Sequence, residues 1–427
     1  MPLGLYISIP FCRTKCSYCN FASDVFSKSA YENYVARVLE DIANSRRFVL
    51  EMGGAFRSAL GSALDDTVDS IYLGGGTPSI LDAAQLVRIF AAVRGQFAVT
   101  PDAEITVECA PGTLTPALIE TLLQCGVNRV SLGVQSFVDR EAQSVGRLHN
   151  RSTVLQEIGR LREAGVTNIS IDLIAGLPHQ TAESWAFSVA ETIATGVPHV
   201  SVYMLEVDED SRLGRELIAG GARYHAHFVP DDDATADFYQ QACETLESAG
   251  VAQYEISNFA RAGFYLRENE SRHNLKYWTR QPYLGFGVDA HSMLPASLRE
   301  DCHAIRFATP DSLDAYMNRV PHSVTPVSSE AAIEEAFFLG LRLNRGIDLE
   351  HLRLEFGIEA VAPREAAIQQ CVREGLLEQQ NTNSSTNLRL TPRGRLLSNE
   401  VFGRFLTEKT TERAAETKVG TGHVNPR

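Results

Sequence analysis

Three cysteines, Cys12, Cys16 and Cys19, fall within eight consecutive residues, whereas Cys109, Cys125, Cys243, Cys302 and Cys371 are scattered singly. The spacing C-x3-C-x2-C puts three thiolates on one tight loop. Such a trio can hold three irons of a cubane 4Fe–4S cluster and leave the fourth iron without a protein ligand. A structural zinc needs four closed ligands, usually as two spaced pairs, and no nearby Cys or His supplies the fourth. The spacing therefore favours the cluster. An iron with an open position can take the amino and carboxylate groups of S-adenosylmethionine, and an electron from the cluster can then cleave the sulfonium to release a deoxyadenosyl radical.

A nucleotide held there needs backbone approach and polar partners. Gly74-Gly75-Gly76 removes side chains where carbonyls or amides can meet the methionine amino group. Glu108, Gln135 and Asp172 each stand at or just past the end of an apolar run. A carboxylate there can accept both hydroxyls of a ribose, and Arg147 can pair with a carboxylate through two prongs. Taken singly, each of these polar groups is more often a satisfied structural residue, and a bare strand-to-helix turn also explains a run of glycines.

The elements that must position these residues are legible as short apolar runs, each followed by a turn and a helical period. Strands are expected at Leu5–Ile9, Asp69–Leu73, Glu104–Glu108, Arg129–Gly133, Asn168–Leu173 and His199–Tyr203. Helices are expected at Ser29–Phe48, Asp82–Val93, Thr115–Cys125, Arg151–Ala164 and Thr181–Thr195, with Ser29, Asp82 and Thr115 as caps and Gly126 and Gly165 as left-handed stops. Six strands alternating with helices imply a parallel sheet. The expected fold is α/β, a partial (β/α)6 barrel whose mouth carries the cysteine loop. Beyond about residue 208 the alternation lapses: a helix following Asp231–Asp233 ends near Gly250, and an irregular aromatic-rich stretch runs from Tyr254 to His291. Helical texture returns from Pro326, with a short strand at Leu388–Pro392 and a polar loop over Gln379–Asn387. Expected units are 1–208 for the barrel, 209–315 for its extension, 316–406 for a small α+β domain and 407–427 for a disordered tail.

Composition bounds the partners. A chain of 427 residues has room for two to three domains, and a net charge of −14 argues against polyanion binding, so no nucleic acid is expected. No apolar run reaches the ~18 residues of a spanning helix. Met1 to Phe11 lacks a basic n-region, so no cleaved signal is expected and the cytoplasm is the expected compartment.

The sequence resembles the radical S-adenosylmethionine superfamily, in the branch related to oxygen-independent coproporphyrinogen dehydrogenases. The resemblance rests on Phe11 before the first cysteine and Tyr18 before the third. It extends through Gly74-Gly-Gly-Thr-Pro78, Glu108, Ser131-Leu-Gly-Val-Gln-Ser-Phe137, Gly146-Arg-Leu-His149, Asp172-Leu-Ile-Ala-Gly-Leu-Pro-His-Gln-Thr181 and Tyr254-Glu-Ile-Ser-Asn-Phe259. It implies a 4Fe–4S cluster on Cys12, Cys16 and Cys19. It also implies an S-adenosylmethionine site of Tyr6, Tyr18, Gly75, Gly76, Thr77, Glu108, Gln135, Arg147 and Asp172. Ser8 stands where relatives often carry His, and Asn20 where Asp is frequent.

Two functions share this scaffold: oxidative decarboxylation of coproporphyrinogen III in porphyrin biosynthesis, and haem delivery by chaperones of the HemW type. The dehydrogenases carry a fourth cysteine two residues beyond the third, where this chain has Phe21, and an N-terminal extension where only Met1 to Gly4 precede the first strand. His273-Asn-Leu-Lys-Tyr277-Trp278 is similar to the H-N-x-x-Y-W pattern of the chaperones. The resemblance thus implies a chaperone that binds haem, with His273 as an axial ligand and Tyr277 and Trp278 against the macrocycle, and that passes haem to accepting proteins. His291, His303 and Cys302 are further candidate haem ligands, with a structural role the favoured reading for each. The cluster and nucleotide are expected to set the conformation or homodimer state from which haem leaves. The C-terminal piece, with Leu390-Thr-Pro-Arg-Gly394, resembles the winged-helix-like domain ending these relatives.

Overall fold

Alternation within the strands decides the architecture. The computed structural model describes residues 1–52, 66–263, 268–299, 302–381 and 385–406, so the expected disordered tail lies outside the described residues. The six expected strands are present as β1 (Leu3–Ile9), β2 (Thr67–Gly75), β3 (Ala98–Cys109), β4 (Arg129–Gln135), β5 (Asn168–Ala175) and β6 (His199–Met204), each parallel to the next.

Register shows what each face carries, because residues paired across parallel strands share a face. One face runs Ile7↔Leu73↔Val107↔Val130↔Ile169 and Cys109↔Leu132↔Ile171↔Val200, all apolar. It joins one core with Val35 and Val38 of α1 (Lys28–Ala43) and with Leu86 and Ile89 of α2 (Ala83–Gln96). The opposite, concave face runs Tyr6↔Tyr72↔Thr106↔Arg129↔Asn168 and Glu108↔Ser131↔Ser170↔His199. The lumen is therefore lined with polar groups, and the apolar core lies outside it, beneath the helices.

Helices α3 (Pro116–Gln124), α4 (Arg151–Glu163) and α5 (Ala182–Thr195) complete the outer layer. Asp82 closes a capping box with Gln85, and Thr115 accepts from the Leu118 amide, as expected of those caps. Gly126 and Gly165 adopt φ of 83° and 93°. The first helix departs from expectation. It starts one residue before Ser29, with Ser27 at the cap position, and it breaks at Asn44 before a second segment, Ser45–Met52.

Trp185 of α5 is fully buried and donates from Nε1 to the Phe238 carbonyl of α6 (Asp232–Ser248) at 2.6 Å. Trp185→Ala is expected to cost about 3–5 kcal/mol, seen as a lower urea midpoint at unchanged slope. A loss under ~1 kcal/mol would remove this helix pair from the cooperative core.

The sheet continues beyond the arc on both sides, which the sequence did not suggest. β8 (Asn258–Arg261) and β7 (Val251–Gln253) add antiparallel beyond β6. β9 (Tyr283–Phe286) adds parallel to β1, followed by the antiparallel β10 (His291–Arg299), β11 (Cys302–Ala308) and β12 (Ser323–Val327), so that β7 and β12 end the sheet. The stretch read as irregular is thus partly strand. Gly285 is what lets β9 fold back, since a Cβ there would lie 2.3 Å from the His291 carbonyl.

Residues 333–405 form a second core around Phe337, Leu352, Ile368, Leu388 and Phe405. It is covered by a three-stranded sheet ordered β13 (Ile347–Asp348), β15 (Thr386–Leu390), β14 (Leu377–Asn381). Of the expected Gln379–Asn387 loop, Gln379–Asn381 and Thr386–Asn387 are arms of a hairpin, and 382–384 lie outside the described residues. Tyr254-Glu-Ile is the joint between the cores: Ile256 N donates to Arg342 O, Asn344 N to Tyr254 O, and buried Glu255 lies 3.5 Å from Arg342. Among the described residues no helix is long and apolar enough to cross a membrane.

Candidate functional site

The loop leaving β1 is pinned before it reaches the cysteines. Cys12 N donates to Asp24 O, Ser17 N to Val145 O, and Cys19 N to Cys16 O. The loop after β2 is stitched to it from the other side, with Gly76 N donating to Ile9 O and Thr77 N to Phe11 O, both at 2.8 Å. Thr77 Oγ1 lies 3.7 Å from Cys12 Sγ. Gly76 belongs there for a steric reason, because a Cβ would sit 2.7 Å from Phe11 O, 2.9 Å from Ile9 O and 3.0 Å from Cys12 Sγ.

All three thiols are half-buried. Burial, reinforced by the neighbouring thiols, pushes Cys12 and Cys19 above the ordinary thiol range, a bias that a bound cation reverses. Among the described residues no three His, Cys, Asp or Glu side chains converge on the single point that one metal ion requires. A cubane takes its thiolates at separate corners, and three thiols on one pinned loop are a donor set that fits it.

The polar residues assemble above the lumen. Arg147 Nη2 donates to Tyr18 OH at 3.0 Å, and Tyr18 packs with Val145, Ile174 and Leu177, so the residue before the third cysteine tilts toward the mouth. Gly133 leaves space for this layer, since a Cβ there would meet Gln135 Nε2 at 3.2 Å and Arg147 Nη2 at 3.3 Å. Gln135 is buried with φ of 68°, at a bulge between β4 and β5. Its Oε1 and the Nε of Arg147 are buried without a hydrogen-bond partner. Strained backbone and orphaned polar atoms at one mouth are what a preformed ligand site leaves behind.

Tyr72 OH donates to Glu108 Oε1 at 2.8 Å, and Tyr6 stacks on Tyr72. Asp172 lies deeper than expected, three residues before the end of β5, where Ser131 Oγ donates to its carboxylate at 3.1 Å. Burial pushes Asp172 above the usual carboxylate range, against the pull of Ser201 and Ser131. Ser8, in place of the frequent His, is buried on the lumen face opposite Gly74, and its carbonyl accepts from Tyr34 OH at 2.6 Å. Exposed Asn20 ties the cysteine loop to Asp208 at 3.0 Å.

His273 is not brought to this mouth. Two amides of α7 (Arg272–Trp278) donate to buried Glu104, from Arg272 at 3.1 Å and from His273 at 3.0 Å. The His273 ring lies near Gly4 at the opposite end of β1, between Ser70 Oγ (3.1 Å from Nδ1) and Tyr277 OH (2.8 Å from Nε2), and stacks on Tyr72. It is 1% exposed. Both ring nitrogens are engaged, and Trp278 is buried under Arg342 and Leu339, so the structure places His273, Tyr277 and Trp278 at the floor of the barrel. His199 repeats the pattern with Ser170 and Tyr254.

This position has a pH signature. Burial, then Lys276, pulls the His273 imidazole from 6.5 to about 3. The unfolded chain takes up a proton near 6.5 and the folded chain does not until about 3, so stability present at neutral pH is lost as pH falls through that interval. His273→Gln, which cannot titrate, is expected to be the less stable protein at neutral pH and to close the gap on acidification. Urea midpoints across pH read the difference, and a gap that widens toward acid contradicts the assignment.

Sequence reasoning missed Tyr72, Ser131 and the floor layer, although strict polar–apolar alternation in segments such as Ser70-Ile-Tyr-Leu and His199-Val-Ser-Val-Tyr203 carries the signal. It also missed the insert after β6, where Leu213 N donates to Ser17 O at 2.8 Å and so fastens helix Arg212–Ala219 to the cysteine loop.

Comparison with known proteins agrees with this geometry. Residues 6–189 match the family model described as Radical SAM superfamily, and residues 327–397 match the HemN C-terminal domain. The chain is 32% identical over 405 residues to the heme chaperone HemW of Bacillus subtilis, covering 94% of this chain and 99% of that protein. It is 33% identical to the heme chaperone HemW of Synechocystis, covering 81% and 79%. Its structure is similar to coproporphyrinogen III oxidase (HemN) from Escherichia coli, with a TM-score of 0.75 at 22% identity over 95% of this chain and 90% of that one, a likeness of fold alone. With about a third of its residues shared along nearly the whole of a relative, and a cysteine loop seated at the mouth of a (β/α) arc, the chain belongs to the radical SAM superfamily, in its HemW branch.

Proposed function

We propose that this chain is a haem chaperone acting in the cytoplasm. It binds a 4Fe–4S cluster through Cys12, Cys16 and Cys19, S-adenosylmethionine at the barrel mouth, and haem, which it hands to accepting proteins. The observation that carries the reading is the mouth itself: three thiols on one pinned loop beside the orphaned Gln135 and Arg147 atoms. When bound, the cluster supplies a one-electron reductant next to a sulfonium. The chain's own residues do the holding. Gly75 and Gly76 let backbone approach the methionine end, Arg147 offers a cation to its carboxylate, and Tyr18 forms an apolar wall. Glu108 and Asp172 stand where ribose hydroxyls can donate to them, with Gln135, Tyr6 and Thr77 completing the enclosure. The haem part of the reading is supported by the name carried by relatives above 30% identity. The alternative, coproporphyrinogen dehydrogenase activity, has behind it a likeness of fold and the match of residues 327–397 to the HemN C-terminal domain.

The test is an anaerobic inventory on reconstituted full-length protein: iron and sulfide content, calorimetric titration with S-adenosylmethionine, hemin titration, and transfer of bound hemin to an apo-haemoprotein. Cluster, nucleotide and stoichiometric, transferable hemin are the expected results. Robust coproporphyrinogen turnover without hemin transfer would reverse the reading.

A further inference from the structure

Resting on the chaperone reading, and with the His273 ring enclosed in the floor, the search for a haem site turns to the mouth. Its rim carries an unassigned group of imidazoles. His179, in the loop after β5, and His225, in the insert after β6, have ring centroids 5.0 Å apart. Phe228 lies 4.0 Å from the His179 ring and 4.1 Å from that of His227, and is 45% exposed. His179 and His225 hold left-handed backbone, with φ of 69° and 62°, a conformation that an L residue adopts only when its surroundings impose it.

The surroundings do impose it. Buried Glu216 accepts from the amides of Tyr224 at 2.8 Å and Ala226 at 3.1 Å, and the His179 amide donates to the Phe228 carbonyl at 3.0 Å. Two loops from different strands are thereby locked together, with their imidazoles gathered on one side.

The donors divide by chemistry. Arg140 Nη2 donates to His179 Nδ1 at 3.2 Å, which leaves His179 with its proton on Nε2, facing outward as a donor beside a guanidinium. That pair suits a carboxylate, not iron. His225 makes ring contacts with His179 and Phe228, His227 with Phe228, and each can present a nitrogen lone pair. Helix Arg212–Ala219, packed against the 226–228 turn, adds exposed Leu217 and Ile218. A ligand suited to all of this is flat and apolar, carries a metal whose equatorial positions are filled, and bears carboxylates at its edge.

We propose that this rim is the haem site, with His225 or His227 as the axial iron ligand, Phe228 against the macrocycle, and Arg140 with His179 receiving a propionate. Helix Arg212–Ala219 also donates to the cysteine loop through Leu213 N, so the site and the cluster loop share one structural element.

The test is hemin titration of full-length, cluster-loaded protein, comparing wild type with the double variant His225→Asn/His227→Gln, Arg140→Gln and His273→Gln. Asn keeps the left-handed turn while removing the imidazole. The double variant is expected to lose at least tenfold in affinity together with the imidazole-ligated Soret and electron paramagnetic resonance signature, with free imidazole restoring the signature. Arg140→Gln is expected to weaken binding severalfold with the axial signature intact, and thermal unfolding controls for fold. A wild type that takes up no hemin sinks the chaperone reading itself. A wild type that binds, beside a double variant with unchanged affinity and spectrum, overturns the rim site, as does loss confined to His273→Gln.

Discussion

Cys16→Ala is expected to leave a protein that folds but cannot be charged with iron and sulfide. One corner of the cube loses its anchor, and no other thiol is at hand, since Cys109, Cys125, Cys302 and Cys371 are buried in the cores and half-buried Cys243 packs against one from helix Asp232–Ser248. The side chain belongs to neither core, so the unfolding free energy should stay within about 0.5 kcal/mol of the cluster-free parent. S-adenosylmethionine affinity should fall by at least two orders of magnitude, because the group that takes its amino and carboxylate ends is gone. Cys109→Ala is the contrasting control: it should keep its iron and lose stability. Iron and sulfide assays with parallel urea melts decide the matter, and a full complement of iron on Cys16→Ala would refute the ligand assignment.

Gly76→Ala should be nearly as damaging for a different reason. The new methyl meets two backbone carbonyls and a cysteine sulfur, none of which is the free end of a flexible side chain. The loop after β2 must retreat, breaking the hydrogen bonds that the Gly76 and Thr77 amides donate to the Ile9 and Phe11 carbonyls. Overpacking and two lost hydrogen bonds together suggest about 2–4 kcal/mol of destabilisation. Nucleotide affinity and cluster occupancy should fall with it, because Thr77 and Cys12 are displaced together. Gly95→Ala is the matched control: it lies in α2 with nothing within 4 Å of its added Cβ, and should stabilise by about 0.5–1 kcal/mol. Equal behaviour of the two variants would mean that the stitch at Gly76 does not govern the site.

The barrel was legible because its strands and helices announce themselves locally. Each of the six strands contains the residues expected of it, and Asp82, Thr115, Gly126 and Gly165 act as caps and stops through chemistry confined to a few neighbours. The cysteine loop was legible for the same reason. Failure begins where long-range contacts decide. β9 reads as an irregular aromatic run because its partner, β1, lies far away in sequence, and only Gly285 hints at the close approach. His273 sits in a six-residue pattern that invites a ligand role, but its environment is made by Glu104, Ser70 and Tyr72, about two hundred residues upstream. Ser29 lost the cap position to Ser27 within a serine-rich turn where local preference does not discriminate.

The two outermost strands bear on how copies of this chain can meet. Among the described residues an open sheet of twelve strands has two backbone margins with no further strand, each a template for runaway polymerisation. One margin is β7, only three residues long, which gives an incoming chain little to grip. The other, β12, carries Pro326, which has no amide hydrogen to offer a newcomer. Both margins are blunted against lateral growth, so continuing the sheet from one copy to the next is disfavoured.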